Sequence, residues 1–471
     1  MTQRTTKLPA LKTAMETLSG TLIGTAALIA IHHRYRKQHQ PNARWQDYMT
    51  GAYARWQTWR HAYQQAEETP DLSALHTTTM LARPVCWVSG VASMPKDSIA
   101  TPNDETPPEN DFGVVGIDAD RELVWQTTMP ERVHDIVVQP AVIPKEECHI
   151  HKHNRDVVVM GRRPSERFWV LDAATGQVKL AIQAAAQRHF YGHACYSLDG
   201  KLLYVTENDT VSLEGKIGVY DAHDAYKKVS EFEAHGIGPH ELIMHPDGET
   251  LVIANGGIKT EQASREELNL DSMRPSLTYL NRYDGTLLEQ IAPQHNQMSI
   301  RHLAIHDDGT VMIGVQFQGD KHLNMPLVLT HQRGDTDLKP LIMPNDQWQC
   351  FHQYIASVAV DSTHNLLCVT TPIGGCAAIY DLNTRALVDA VNLPDCAGAA
   401  ERLSSTAQHT NDNSNEPGFI VSDGQGQLTT LALSSASASP REVAHSKTAQ
   451  RLIKHSKGHK MSFDNHLQAV C

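Results

Sequence analysis

A chain of 471 residues can bury a sizeable core, either as two or three ordinary domains or as one large closed repeat fold. Its 41 basic and 53 acidic residues leave a net charge of −12, which argues against a nucleic-acid backbone binder, since no Lys/Arg surplus exists to displace counterions. Its eight cysteines form no Cys-x-x-Cys pair, which excludes a zinc ribbon or thioredoxin-type motif and fits buried free thiols at least as well as disulfides.

The elements follow in chain order. Arg4, Lys7 and Lys12 precede an uncharged stretch from Thr17 to Ile31. That stretch is shorter than the ~20 apolar residues of a comfortable spanning helix, but it has the size of a secretory signal's apolar region. Residues 1–31 are therefore expected to be a signal or anchor segment, with membrane anchoring through residues 17–31. The expected location is the periplasm, soluble or N-terminally anchored; the alternative is a cytoplasmic protein with a short amphipathic helix. Residues 32–80 are expected to form a helical extension. Trp45, Tyr48, Trp56, Trp59 and Tyr63 lie at spacings that share one helix face. Residues 101–110, 408–417 and 434–439 read as polar loop excursions.

From residue 81 to 471 the pattern changes to short β-like runs separated by turn signals. One unit begins HACYSLDGKLLYVTEND, the next HELIMHPDGETLVIANGG, another HLAIHDDGTVMIGVQFQG, and a fourth SVAVDSTHNLLCVTTPIGG. Each contains four strand-like segments, the first two joined by Asp-Gly or a similar turn. A repeat of ~40–50 residues built this way is the signature of a β-propeller. The fold class is thus all-β, a seven-bladed propeller. Five blades start near His134, His193, His240, His302 and Ser357, and a degraded sixth covers about 396–445. The seventh joins a C-terminal strand around His466 to strands near Val85, Gly113 and Leu123, which closes the ring.

Histidine is over-represented, with 27 in the chain, and its position adds meaning. In a propeller the first strand of each blade lines the central channel. Histidines at the start of that strand converge on one mouth. His193, His240, His302 and His466 are the first-choice metal ligands, with His134 and Glu241 beside them. Glu207, Asn208, Asn255 and Arg274 are expected on the same rim as ligand-orienting or cofactor-binding groups. Neutral imidazole suits zinc, copper, iron and nickel. No catalytic residue is identified: there is no Gly-x-Ser-x-Gly elbow and no activated Ser or Cys. His149, His151 and His153 alternate in a polar stretch that reads as a solvated loop.

The runs RHFYGH (188–193), TEND (206–209), HGIGPHEL (235–242), ANGGI (254–258), NLDSMRPSL (269–277) and SIRHL (299–303) resemble the bacterial domain of unknown function 1513 family of exported propeller-like proteins. So does the closing Phe463-Asp464-Asn465-His466, where the family's pattern has Trp first. The resemblance covers roughly residues 85–471. It implies a setting near periplasmic metal-uptake systems, with imelysin-like and di-haem peroxidase-like proteins as partners and iron or copper as the metal, ahead of zinc. Family members tend to begin with a twin-arginine export signal, and no Arg-Arg pair precedes the apolar stretch here. Three functions are in view: metal acquisition at the histidine mouth, a metal-dependent hydrolase or oxidoreductase using the same mouth, and a protein-interaction platform.

Overall fold

The computed structural model describes residue 72 and residues 75–94, 112–141, 155–163, 165–260, 267–402, 417–434 and 451–470. The signal or anchor segment, nearly all of the helical extension, the 149–153 histidines and most of the three loop excursions lie outside the described residues. Within the stretch expected to be helical, Thr77–Thr79 form a strand, β1.

Seven antiparallel sheets form the blades. The first is β5 (Val133–Val138), β6 (Asp156–Gly161), β7 (Arg167–Asp172) and β8 (Val178–Gln183). The second is β9 (Arg188–Tyr196), β10 (Leu202–Asp209), β11 (Gly215–Asp221) and β12 (Lys227–Glu233). The third is β13 (Pro239–Met244), β14 (Thr250–Asn255), β15 (Ser276–Asn281) and β16 (Leu287–Ile291). The fourth is β17 (Met298–Ile305), β18 (Val311–Phe317), β19 (Val328–His331) and β20 (Lys339–Pro340). The fifth is β21 (Ser357–Asp361), β22 (Leu366–Thr371), β23 (Cys376–Asp381) and β24 (Ala386–Asn392). The sixth is β25 (Cys396–Glu401), β26 (Gly418–Asp423), β27 (Gln427–Ser434) and β28 (Arg451–Gly458), so it runs past residue 445.

The closing blade takes β29 (Ser462–Ala469) as its inner strand, beside β2 (Trp87–Ser93), β3 (Phe112–Ile117) and β4 (Leu123–Met129), with β1 on its outer edge. Trp87 stands opposite Ala469, which joins the two ends of the propeller in one sheet. This closure leaves no open inner edge. Trp87 Nε1 reaches Glu401 O of the sixth blade at 3.1 Å, and Trp125 Nε1 reaches Ala173 O of the first at 3.2 Å. The closing blade is thus pinned on both sides.

Burial follows position in the blade. The second strand is covered on both faces by neighbouring blades, so β14 (TLVIAN) is buried throughout. The fourth strand is an edge, and β12 (KKVSEFE) is mostly exposed and charged. Blade faces meet in apolar clusters; Val252, Tyr279, Ile313, Val369 and Tyr380 share one that spans the third to fifth blades. The Asp-Gly turns close the inner hairpins: at Gly248 φ is +71°, and Asp247 Oδ1 accepts from Glu249 N at 2.8 Å and Thr250 N at 2.9 Å. The six described cysteines are free thiols, with Cys195, Cys368 and Cys396 buried.

Candidate metal centre

Each histidine of the cluster sits at an irregularity of an inner strand. In β5, Val133 faces Gly161 and Ile136 faces Val159, so His134 and Asp135 oppose one residue. In β9, Tyr191–His193 stand opposite Thr206 alone. In β13 the extra residue is His240 itself, between Pro239 and Glu241. In β17 it is Arg301, next to His302. In β29, residues 464–466 oppose Gly90 alone. Such bulges turn a side chain that would lie along the pleat towards the axis. Of the two inner strands without a histidine, β21 pairs without a break and β25 has its own irregularity between Cys396 and Ala399.

The bulges are held by side chains. His193 N donates to Thr206 Oγ1 at 3.2 Å, and that hydroxyl donates to His193 O at 3.0 Å. Gly192 takes φ +113°, and a Cβ there would collide with the His134 ring.

The outcome is a group of five imidazoles. His193 lies at the centre, its ring centroid 4.6 Å from His134, 4.7 Å from His240, 5.0 Å from His466 and 5.8 Å from His302. The other four form a closed quadrilateral with sides of 5.9 Å (134–240), 4.9 Å (240–302), 5.5 Å (302–466) and 5.3 Å (466–134). Two sets of ligand atoms converge within 4.8 Å: His193, His240, Glu241 and His302, and His134, His193 and His466. His193 belongs to both.

Carboxylates fix the ring orientations, and they do so by a rule. The residue after the histidine in the first and third blades is acidic, and it grips the next blade. Asp135 Oδ2 lies 3.2 Å from His193 Nδ1 and accepts from Ala194 N at 3.4 Å. Glu241 Oε2 lies 3.0 Å from His302 Nδ1 and accepts from Leu303 N at 3.2 Å. His240 Nδ1 donates to Arg301 O at 3.1 Å. A neutral His302 or His240 that donates from Nδ1 keeps its lone pair at Nε2, the arrangement of metal-binding histidines. The Nε2 atoms of His193, His302 and His466 are buried without any hydrogen-bond partner among the described residues. Orphaned buried nitrogens of this kind call for an explanation, and a cation supplies one.

Electrostatics agree for four of the five rings. Burial, reinforced by neighbouring imidazoles or Arg301, pushes His134, His240 and His302 well below the ordinary histidine range, and burial brings His466 down to about 4. These rings stay neutral, as ligands must be. Burial opposes charge on His193 too, but Asp135 outweighs it and raises His193. Burial lifts the Glu241 carboxyl to about 7.

The structure brings His134, His193, His240, His302, His466 and Glu241 together. Four other expected residues sit elsewhere. Glu207 is buried inside the second blade, where Oε1 accepts from Tyr220 Oη at 2.6 Å and Oε2 from Lys228 Nζ at 2.6 Å. Strand alternation turns it onto the blade face instead of the channel. Asn208 is buried on β10 opposite His189 and Gly215. Asn255 Nδ2 donates to Ala234 O and Thr278 Oγ1, both at 3.0 Å, and so ties β14 to the chain entering β13. Arg274 is exposed just before β15. Asp135 was the site residue that sequence reasoning passed over. Its signal was the shared His-acid dipeptide of the first and third blades.

A family model described as "Protein of unknown function (DUF1513)" matches residues 128–470. The chain belongs to that family. The matched span of this DUF1513 protein covers every strand that contributes a histidine, β5, β9, β13, β17 and β29. No curated protein matches it. Among solved structures it is similar to the Kuenenia stuttgartiensis hydrazine synthase, at 16% identity and TM-score 0.48 over 67% of this chain and 88% of that one. It is also similar to a chain of a mitotic checkpoint complex, at 14% identity and TM-score 0.44 over 78% of this chain and 90% of that one.

Proposed function

We propose that the histidine mouth is a transition-metal centre and that the protein handles iron or copper in the periplasm, as part of a metal-acquisition system. The observation that carries the reading is the cluster of five buried or half-buried imidazoles, three of them with an orphaned Nε2 among the described residues. Nitrogen-rich sites with one or two carboxylates suit copper, iron, nickel or zinc over magnesium or calcium. The resemblance to exported family members supports the compartment, and their association with imelysin-like and di-haem peroxidase-like proteins supports those partners. The test is elemental analysis of purified protein, wild type against the double variant His193→Ala/His240→Ala. Stoichiometric metal in the wild type and none in the variant is the expected result. No metal in the wild type after reconstitution with iron, copper, zinc and manganese removes the reading.

One observation favours catalysis at the same centre as a second reading. A channel of about 370 Å³ opens onto Asp135, Glu241, His302 and His466, which gives a small substrate access to the ligand carboxylates. A metal-dependent hydrolase or oxidoreductase would use Glu241 as its base. Turnover by the metal-loaded wild type, absent in Glu241→Gln, is what this reading requires.

A further inference from the structure

Outside the residues that line the channel, next to the imidazoles, lies a second cluster, of arginines and tyrosines. Arg301 immediately precedes His302 and is the bulged residue of β17. Its carbonyl holds His240 at 3.1 Å, and its Nε donates to Ser299 Oγ at 2.9 Å. Arg162 follows the last residue of β6, which stands opposite Val133, the neighbour of His134. Its backbone N donates to Arg132 O at 2.9 Å. Tyr354 lies 6.5 Å from the His302 ring and within the electrostatic reach of both Arg162 and Arg301.

Among the described residues the charges here do not balance. Arg132 is neutralised by both oxygens of Asp464, at 2.6 and 2.8 Å. Neither Arg162 nor Arg301 has an ion pair among the described residues. The site's own carboxylates, Asp135 and Glu241, line the channel and are engaged with His193 and His302. Glu267 is exposed and the weakest of the influences on Arg301, and Asp464 is already engaged. Both residues are half-buried. A partly desolvated positive charge without a counter-ion costs stability.

We propose that this mouth receives an oxyanion of the carboxylate or phosphate class, held by Arg162 and Arg301 beside Tyr354 and seated against the imidazoles. The planar guanidinium fork matches either oxyanion through paired N–H donors. Tyr354 adds a hydroxyl donor. The inference names the ligand class of the proposed metal site and rests on that reading for its purpose: the oxyanion accompanies the metal, as a chelator that delivers it or as a co-ligand.

The test is calorimetric titration of the full chain at low ionic strength, metal-free and cobalt-loaded, with oxalate in one arm and orthophosphate in the other. Wild type is compared with Arg162→Gln, Arg301→Gln and Arg301→Lys, with Lys201→Gln, an exposed change in the second blade, as control. Saturable binding of at least one anion is expected, weakened about tenfold or more by either glutamine change through loss of charge-assisted hydrogen bonds, and unaltered in the control. Arg301→Lys should fall between wild type and glutamine. If Arg301→Gln does not fold, Arg162→Gln decides alone. No saturable binding in wild type, or equal affinity in wild type and the glutamine variants, overturns the proposal. Arginine-dependent anion binding in a chain that takes up no metal supports the anion site and removes the metal reading. Metal uptake without it does the reverse.

Discussion

Glu241, on the third blade, holds His302, on the fourth, through a 3.0 Å contact between Oε2 and Nδ1. The same oxygen accepts from Leu303 N, so one carboxylate sets both the tilt of an imidazole and the backbone bulge that presents it. Glu241→Gln should keep the fold and lower metal affinity by ~10–100-fold, the usual cost of losing such an outer partner. Competition against a chromophoric chelator measures it. Affinity equal to wild type would show that Glu241 neither orients His302 nor ligates.

Metal should stabilise the propeller by binding only the folded state. At a hundredfold excess over Kd the gain is ~2.7 kcal/mol, visible as a rise in Tm. His193→Ala should abolish the rise for every metal that produces it, because His193 belongs to both converging ligand sets. A wild-type-sized rise in that variant would place the metal elsewhere.

Gly192 is the backbone position on which the cluster depends. Gly192→Ala adds a Cβ into the His134 ring and forces an alanine to φ +113°. The expected outcome is a folded protein, by circular dichroism, with metal affinity at least about tenfold weaker, since a ring displaced by ~1 Å no longer meets the others.

Ring closure should be separable from the site. Asp464 is buried and takes Arg132 through both oxygens, while Arg132 is 38% exposed, so solvent screens part of the pair. Asp464→Ala should cost ~1–3 kcal/mol in urea unfolding, chiefly by leaving the guanidinium unpartnered.

One acid-range effect lies far from the histidines. Burial opposes charge on Glu231, but hydrogen bonds from Arg188 and Lys228 bring its carboxyl down to about 2. A folded-state pKa below the unfolded value contributes stability that is present above about pH 4.5 and lost as pH falls towards 2. Glu231→Gln should therefore cost on the order of 1–2 kcal/mol at pH 7, after allowing for solvent screening, and less at pH 3. Urea denaturation of both proteins at the two pH values checks the sign.

The repeat was legible because period-two apolar runs and Asp-Gly turns are local signals. The phase of each blade followed, and with it the histidines at the inner-strand starts and the joining of β29 to β2. Glu207 shows the limit. Counting along β10 puts it near the histidine end of the blade, but the side chain's face is set by pleat register, and that face looks towards Lys228 and Tyr220. The irregularity between β9 and β10 falls at Thr206, beside Glu207, and such irregularities leave little trace in composition.

By itself the sequence determined the propeller, its closure, the family and the set of histidines that share one mouth. These depend on short-range patterning, and tertiary packing had only to respect it. Tertiary structure decided the rest: that Asp135 and Glu241 each reach into the next blade and that, among the described residues, three Nε2 atoms are left without partners and Arg162 and Arg301 face the imidazoles without a paired carboxylate. The two carboxylate contacts join residues about sixty positions apart, and all these relations arise only when ring closure brings the inner strands side by side and withdraws their polar groups from water.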